Sequence, residues 1–219
     1  MLHGSPSPGV AGSELTRLLA CFAGAPPAQA RPAFAERLGH WLKWTDAASL
    51  SAALNNSPTA PARSRAAAPL AEAADFERVR ATLEAAIAAG PREGASGAID
   101  FAPYRRHCID QQQAMEAAIG ALRQRLRDAL SRRSSALARL AAIDAVMDQT
   151  LAARERGLLG MVLLRLQSHF AQLQRAASGD TAWVAAFRDD MDRVLRAELA
   201  HRLLPAQGLL DALNTPPPT

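Results

Sequence analysis

The feature that most constrains this chain is residues 101–174, where no proline follows Pro103. Within it Met115, Ile119, Leu122 and Leu126 recur at spacings of four, three and four, the period of one helix face. After the polar cluster Ser131, Arg132, Arg133, Ser134 and Ser135 a second seam runs through Leu137, Leu140, Ile143, Met147 and Leu151. It continues through Leu158, Val162, Leu166, Phe170 and Leu173. A straight helix over the whole stretch would be roughly 110 Å long, so the spacing predicts a fold-back near 131–135 into an antiparallel hairpin. β-branched residues are sparse and hairpin turn signals are absent, which removes strands from consideration. The fold class that follows is all-α. The architecture expected is an elongated, coiled-coil-like helical bundle built around the hairpin, with disordered termini and linker.

The remaining segments read as shorter helices with room to pack on this arm. Residues 1–12 are rich in Gly, Pro and Ser and are expected to be disordered. An N-terminal helical pair is expected over 13–54. Ser13 caps its first helix, through about Phe22, and a second starts around Arg31 and Pro32 with Phe34, Leu38, Trp41, Leu42 and Thr45 on one face. Residues 55–69 carry prolines and no apolar periodicity, the composition of a flexible linker. The bundle is expected over 70–213, with the long hairpin at 101–174 inside it. Its first helix carries the stripe Phe76, Val79, Leu83 and Ile87 and stops at Gly90 and Pro91. Its last helix carries Trp183, Phe187, Met191, Val194 and Leu195 and is expected to stop before Pro205, with Leu209 to Leu213 adding a final turn. Residues 214–219 form a proline-rich tail.

Charge is concentrated in the arm. Residues 100–139 hold eight arginines against the four carboxylates Asp100, Asp110, Glu116 and Asp128, an excess equal to the formal +4 of the whole chain. A basic helix at 101–139 is a footprint for an acidic protein, a nucleic acid or an anionic surface, and its bland counterpart is a solvated face. Arginine preference itself carries no weight, because Lys43 is the sole lysine.

Catalytic and metal-binding patterns are lacking. Cys21 and Cys108 stand far apart with no CxxC spacing, so they suggest neither a disulfide framework nor a zinc site. Asp144, Asp148, Glu155 and His169 share a helix face by angle, yet Asp144 and His169 are separated by roughly 37 Å of rise. The Glu-x-x-His pattern of helical di-iron sites does not occur. Asp144 and Arg154 read better as polar layers that set helix register, and Asp189 with Asp190 as solvated helix charges. No phosphate-binding glycine loop and no GxSxG motif occurs. No catalytic, cofactor-binding or metal residue is therefore named, no cofactor is expected, and the protein is expected not to be an enzyme. Leu18-Leu19-Ala20-Cys21 has the form of the box before a lipidated cysteine, but no charged start and apolar run precede it. No apolar run approaches the roughly twenty residues that span a bilayer. A cytoplasmic protein without a membrane span is expected.

One segment carries a resemblance. Arg37-Leu38, Trp41-Leu42, Trp44-Thr45-Asp46-Ala47 and Leu50-Ser51-Ala52-Ala53-Leu54 resemble the N-terminal signature, RLxxWLxWTDAxxLSAAL, of an uncharacterised proteobacterial family, a domain of unknown function with a long helical C-terminal region. The resemblance continues at Phe101, Pro103, Tyr104, Arg105 and Arg106, at Leu140 to Asp148, and at Arg154, Glu155 and Arg156. His107-Cys108 departs from the aromatic expected after Arg106. The resemblance implies a cytoplasmic accessory role beside envelope proteins similar to motor stators and peptidoglycan-binding outer-membrane proteins. It brings no catalytic residue.

Three function classes follow. The first is a helical interaction or scaffold protein that binds a protein partner or self-associates. Its candidate contact residues are Trp41 and Trp44 as aromatic anchors, Leu158, Val162 and Leu166 on the seam, and Arg123, Arg125 and Arg127 flanking the contact. The second is a nucleic-acid-binding protein using the basic helix 101–139. An enzyme without a recognisable motif comes third.

Overall fold

The computed structural model describes residues 13–22, 44–55, 69–92, 99–177 and 179–215. Among the described residues there are six helices and no strand: α1 (Glu14–Phe22), α2 (Trp44–Asn55), α3 (Pro69–Ala88), α4 (Ala102–Arg133), α5 (Ser135–Ala176) and α6 (Ala182–Asn214). The tail beyond Thr215 and the linker 56–68 lie outside the described residues, as do 1–12, 93–98, Ser178 and all of 23–43 with its expected second helix and Trp41, together with the side chain of Trp44.

A single residue separates the two longest helices. Ser134 takes an extended conformation (φ −161°, ψ 161°), and its Oγ accepts a hydrogen bond from the Leu137 amide at 3.2 Å. Ser131 Oγ donates to the Arg127 carbonyl at 2.8 Å in the last turn of α4, where Arg132 and Arg133 also sit against the negative end of the helix dipole. The Ser-Arg-Arg-Ser-Ser cluster thus ends one helix and caps the next with the same few residues. From this corner α4 and α5 run side by side in opposite directions. Arg123 pairs with Asp144 and Asp148, Glu116 with Arg156, and Gln112 with the Leu159 carbonyl.

α6 returns parallel to α4 and packs on both α4 and α5, while α3 lies in the groove between α4 and α6. The core is a continuous set of side chains from these helices. It includes the predicted stripes Met115, Ile119, Leu122 and Leu126 of α4, Phe76, Leu83 and Ile87 of α3, and Phe187, Met191, Val194 and Leu195 of α6. At one end Phe101, Tyr104, Phe170, Trp183 and Phe187 form an aromatic cluster. The rings of Tyr104 and Phe187 meet edge-on at 5.1 Å, as do those of Phe170 and Phe187. α1 closes this end, packing on α5 and α6 with Phe22 stacked on His169 at 4.1 Å. α2 packs on α5.

Three expectations are corrected. The last helix does not stop before Pro205: α6 passes through it to Asn214. Proline cannot donate to the carbonyl one turn back, and Ala206, Leu209, Leu210 and Leu213, all buried beyond it, offset that loss. The second seam is corrected at two positions, because Leu159 rather than Leu158 enters the core and Leu140 faces outward, while Val162, Leu166 and Phe170 are buried as expected. In the apolar run Leu158-Leu159-Gly160-Met161-Val162, hydrophobicity alone does not say which leucine points inward. Asp190, read as a solvated charge, is held by His169 Nε2 at 2.8 Å and by Arg193 at 3.4 Å.

Candidate functional site: the outer face of the long helix

Three polar features and one apolar one stand out. The first is a charged layer between α4 and α5. Asp144 accepts from Arg123 at 2.7 Å and Arg127 at 2.9 Å, and Asp148 accepts from the same two arginines at 2.7 and 3.2 Å. Arg123 and Arg127 side chains are 11% and 12% exposed, so this four-membered network is largely withdrawn from water. Two arginines one turn apart facing two aspartates one turn apart admit a single alignment of the helices. That is the register role anticipated for Asp144.

The second feature was not anticipated. Glu198 is fully buried in α6, where Arg202 Nε and a second guanidinium nitrogen donate at 2.9 and 2.8 Å and Gln112 Nε2 of α4 at 3.0 Å. Gln112 also donates to the Leu159 carbonyl at 3.2 Å, which ties α4, α5 and α6 together at one level. Cys108 lies within reach of this charge. Burial first, and the Glu198 carboxylate second, push its thiol up to about 12. Such a thiol stays protonated and unreactive. The signal available in the sequence was a carboxylate interrupting the apolar run Val194, Leu195, Leu199, Leu203, with an arginine four residues on.

On the other face of α4, His107 and Gln111 are buried one turn apart. His107 Nε2 and Gln111 Oε1 have no hydrogen-bond partner. Burial lowers the His107 pKa, against the opposing influence of Asp192, Asp110 and a hydrogen bond with the Ile87 backbone. A groove of about 330 Å³ lies between α4 and α5, floored by Met115 and Ile119 and opened by Gly120 and Ala152. The Glu116–Arg156 ion pair spans its rim at 3.2 Å. Among the described residues no three potential metal-ligating side chains come together. No helix there is long and apolar enough to cross a membrane.

The apolar feature lies on the outward face of α5, where Leu158, Met161 and Leu164 are 55%, 47% and 64% exposed. By helical angle Met161 and Leu164 sit opposite Leu159, Val162, Leu166 and Phe170, which face the core, and Leu158 lies at the edge between the two faces. Gly157 and Gly160 lie beside them, and a Cβ added at either would meet open space.

The candidate contact residues are redistributed accordingly. Leu158 is on the open face. Val162 and Leu166 are 1% and 0% exposed, committed to the intramolecular core, and cannot touch a partner. Arg123 and Arg127 are committed to Asp144 and Asp148, and Arg125 to Asp75 of α3 at 2.7 Å, so the basic helix has its central arginines neutralised within the fold. Met161 and Leu164 were missed because a seam reading assigns each apolar residue to a buried face. An apolar residue left over on the far side becomes visible only when the core is complete.

Residues 1–215 match the family described as "Protein of unknown function (DUF3348)". The chain belongs to this family. The match covers the N-terminal segment that carries the tryptophan signature as well as the whole bundle. No curated protein and no solved structure matches the chain.

Proposed function

We propose that this DUF3348 chain is a non-enzymatic interaction protein that binds another protein through the outward face of α5, as a cytoplasmic accessory of an envelope-associated complex. The observation that carries the reading is the run Leu158, Met161 and Leu164, exposed together on one helix whose other face is packed. Contiguous apolar surface on an otherwise satisfied bundle commonly marks a contact site. The envelope association comes from the family resemblance. The tying of Arg123, Arg125 and Arg127 to carboxylates of the same chain weighs against the nucleic-acid reading, since phosphate binding needs cations free to replace counterions.

The test compares affinity-tagged protein with the double variant Met161→Asp, Leu164→Asp, both expressed in the native host. One or more proteins should be recovered reproducibly with the native chain and lost with the variant, whose melting curve should be unchanged because both side chains face outward. Equal recovery with both chains would defeat the proposal.

A further inference from the structure

We infer that the partner of this face is an acidic amphipathic helix, a refinement that rests on the proposed binding role of α5. The argument begins with what already covers the helix. By helical angle Ile143, Val146, Met147 and Thr150 point away from α4, yet all four are half-buried, on the helix against which α2 packs. At the other end α1 reaches α5 at His169. Between these two contacts the same face carries Leu158, Met161 and Leu164 uncovered.

The charges on this stretch are of one sign. From Gln149 to Ala176 the single carboxylate is Glu155, which is half-buried along the groove shared with α4, beside Arg156. Arg156 is occupied by Glu116. The outward face itself carries Arg165 and Arg175, both exposed, at about the same helical angle as Met161. An apolar stripe bordered by guanidinium groups, with no carboxylate on the same face of α5, selects a partner with carboxylates flanking an apolar stripe, because like-charge juxtaposition is penalised while opposite charge steers the encounter.

The shape favours a helix over a lipid surface. Gly157 and Gly160 lower the helix surface beside the protruding Leu158, Met161 and Leu164, and open space lies where their side chains would be. This relief of ridge and notch accepts the side chains of a second helix lying along α5. Interfacial membrane helices instead keep their basic residues on the face opposite the inserted apolar one, whereas Arg165 and Arg175 lie at the helical angle of Met161 itself. A second copy of the same face is disfavoured by charge, since it sets one basic stripe against another, the like-charge juxtaposition that suppresses wrong partners.

The test uses the full chain in its native host with a photo-crosslinking phenylalanine derivative in place of Leu164, and the crosslinked peptide is mapped by mass spectrometry. The expected product joins Leu164 to a segment of a different protein that is amphipathic, helical and net negative over about five turns. Its yield should fall at least tenfold with Arg165→Glu and Arg175→Glu together. If that reversal upsets the melting curve, the neutral pair Arg165→Gln and Arg175→Gln should still reduce the yield severalfold. A crosslink to a neutral or basic protein segment, or a yield indifferent to both charge variants, overturns the acidic-helix inference and leaves the binding role standing. A crosslink only to another copy of this chain, to lipid alone, or to no macromolecule, overturns both.

Discussion

A carboxylate placed on an apolar seam must find donors or lose its charge, and Glu198 finds them in Arg202 and Gln112, each within hydrogen-bonding distance. Its field reaches Cys108, and the two cysteines of the chain should therefore behave oppositely. Cys21 is exposed on α1, whereas Cys108 is buried with its thiol pushed up to about 12. Titration with a disulfide reagent under native conditions should give one rapidly reacting thiol, assigned to Cys21 by its loss in Cys21→Ser, and a second only after denaturation. Two rapid thiols would mean that the α4–α6 interface opens readily. His107 supplies a second residue-scale prediction. Burial depresses its pKa below the ordinary 6.5, so the folded protein holds fewer protons than the unfolded chain. Well above pH 6.5 neither state is charged at this site and it has no effect on stability. As the pH falls through 6.5 the unfolded imidazole gains a proton first, and stability drops until the folded one follows. Urea unfolding should therefore show a loss as the pH falls through 6.5 that is smaller in His107→Leu, and parallel curves for the two proteins would contradict the buried neutral imidazole.

At the scale of elements, α6 tests how far tertiary packing overrides local preference. Pro205 sits inside it, removes one backbone donor and crowds the carbonyl of His201. Pro205→Ala restores the donor and should raise unfolding free energy by about 1 to 3 kcal/mol, the upper end being the full interior proline cost. No gain would show that the helix bends at Pro205 in a way its neighbours require. The α4–α5 pairing depends on the opposite kind of device, the network of Arg123 and Arg127 with Asp144 and Asp148. Asp144→Ala leaves two guanidinium groups sharing one partly exposed carboxylate and should cost about 3 kcal/mol. The measurement is the denaturant midpoint, and a change within about 0.5 kcal/mol would indicate that water already screens the layer.

For the molecule as a whole, α4 and α6 form a parallel central pair flanked by α3 and α5, and nearly all of the large buried side chains come from these four helices. Among the described side chains, the first two helices contribute only Leu15 and Ala53 to the buried apolar set. A chain beginning just before α3 is therefore expected to fold with one cooperative transition. It should also associate more readily than the full chain, because removal of α2 uncovers Ile143, Val146 and Met147 next to the already open Leu158 and Met161. Circular dichroism melting and light scattering check the two halves of the expectation. A loss of cooperativity would mean that α1 and α2 stabilise the bundle far beyond their buried area.

The all-helical class, the stripes of α3, α4 and α6, and a fold-back within 131–135 were legible in the residues alone, because helix periodicity and capping are local properties that a few consecutive residues express. Packing between helices settled that Leu159 rather than Leu158 faces the core, that Arg123, Arg125 and Arg127 are tied down, and that α6 continues past Pro205. In each case the deciding atoms belong to another helix. A run of adjacent apolar residues leaves the inward angle undetermined until a partner surface selects it, and an arginine reads as free until a carboxylate seventeen to fifty residues away is brought beside it. A proline is tolerated once the turns beyond it are held by contacts they do not make with themselves.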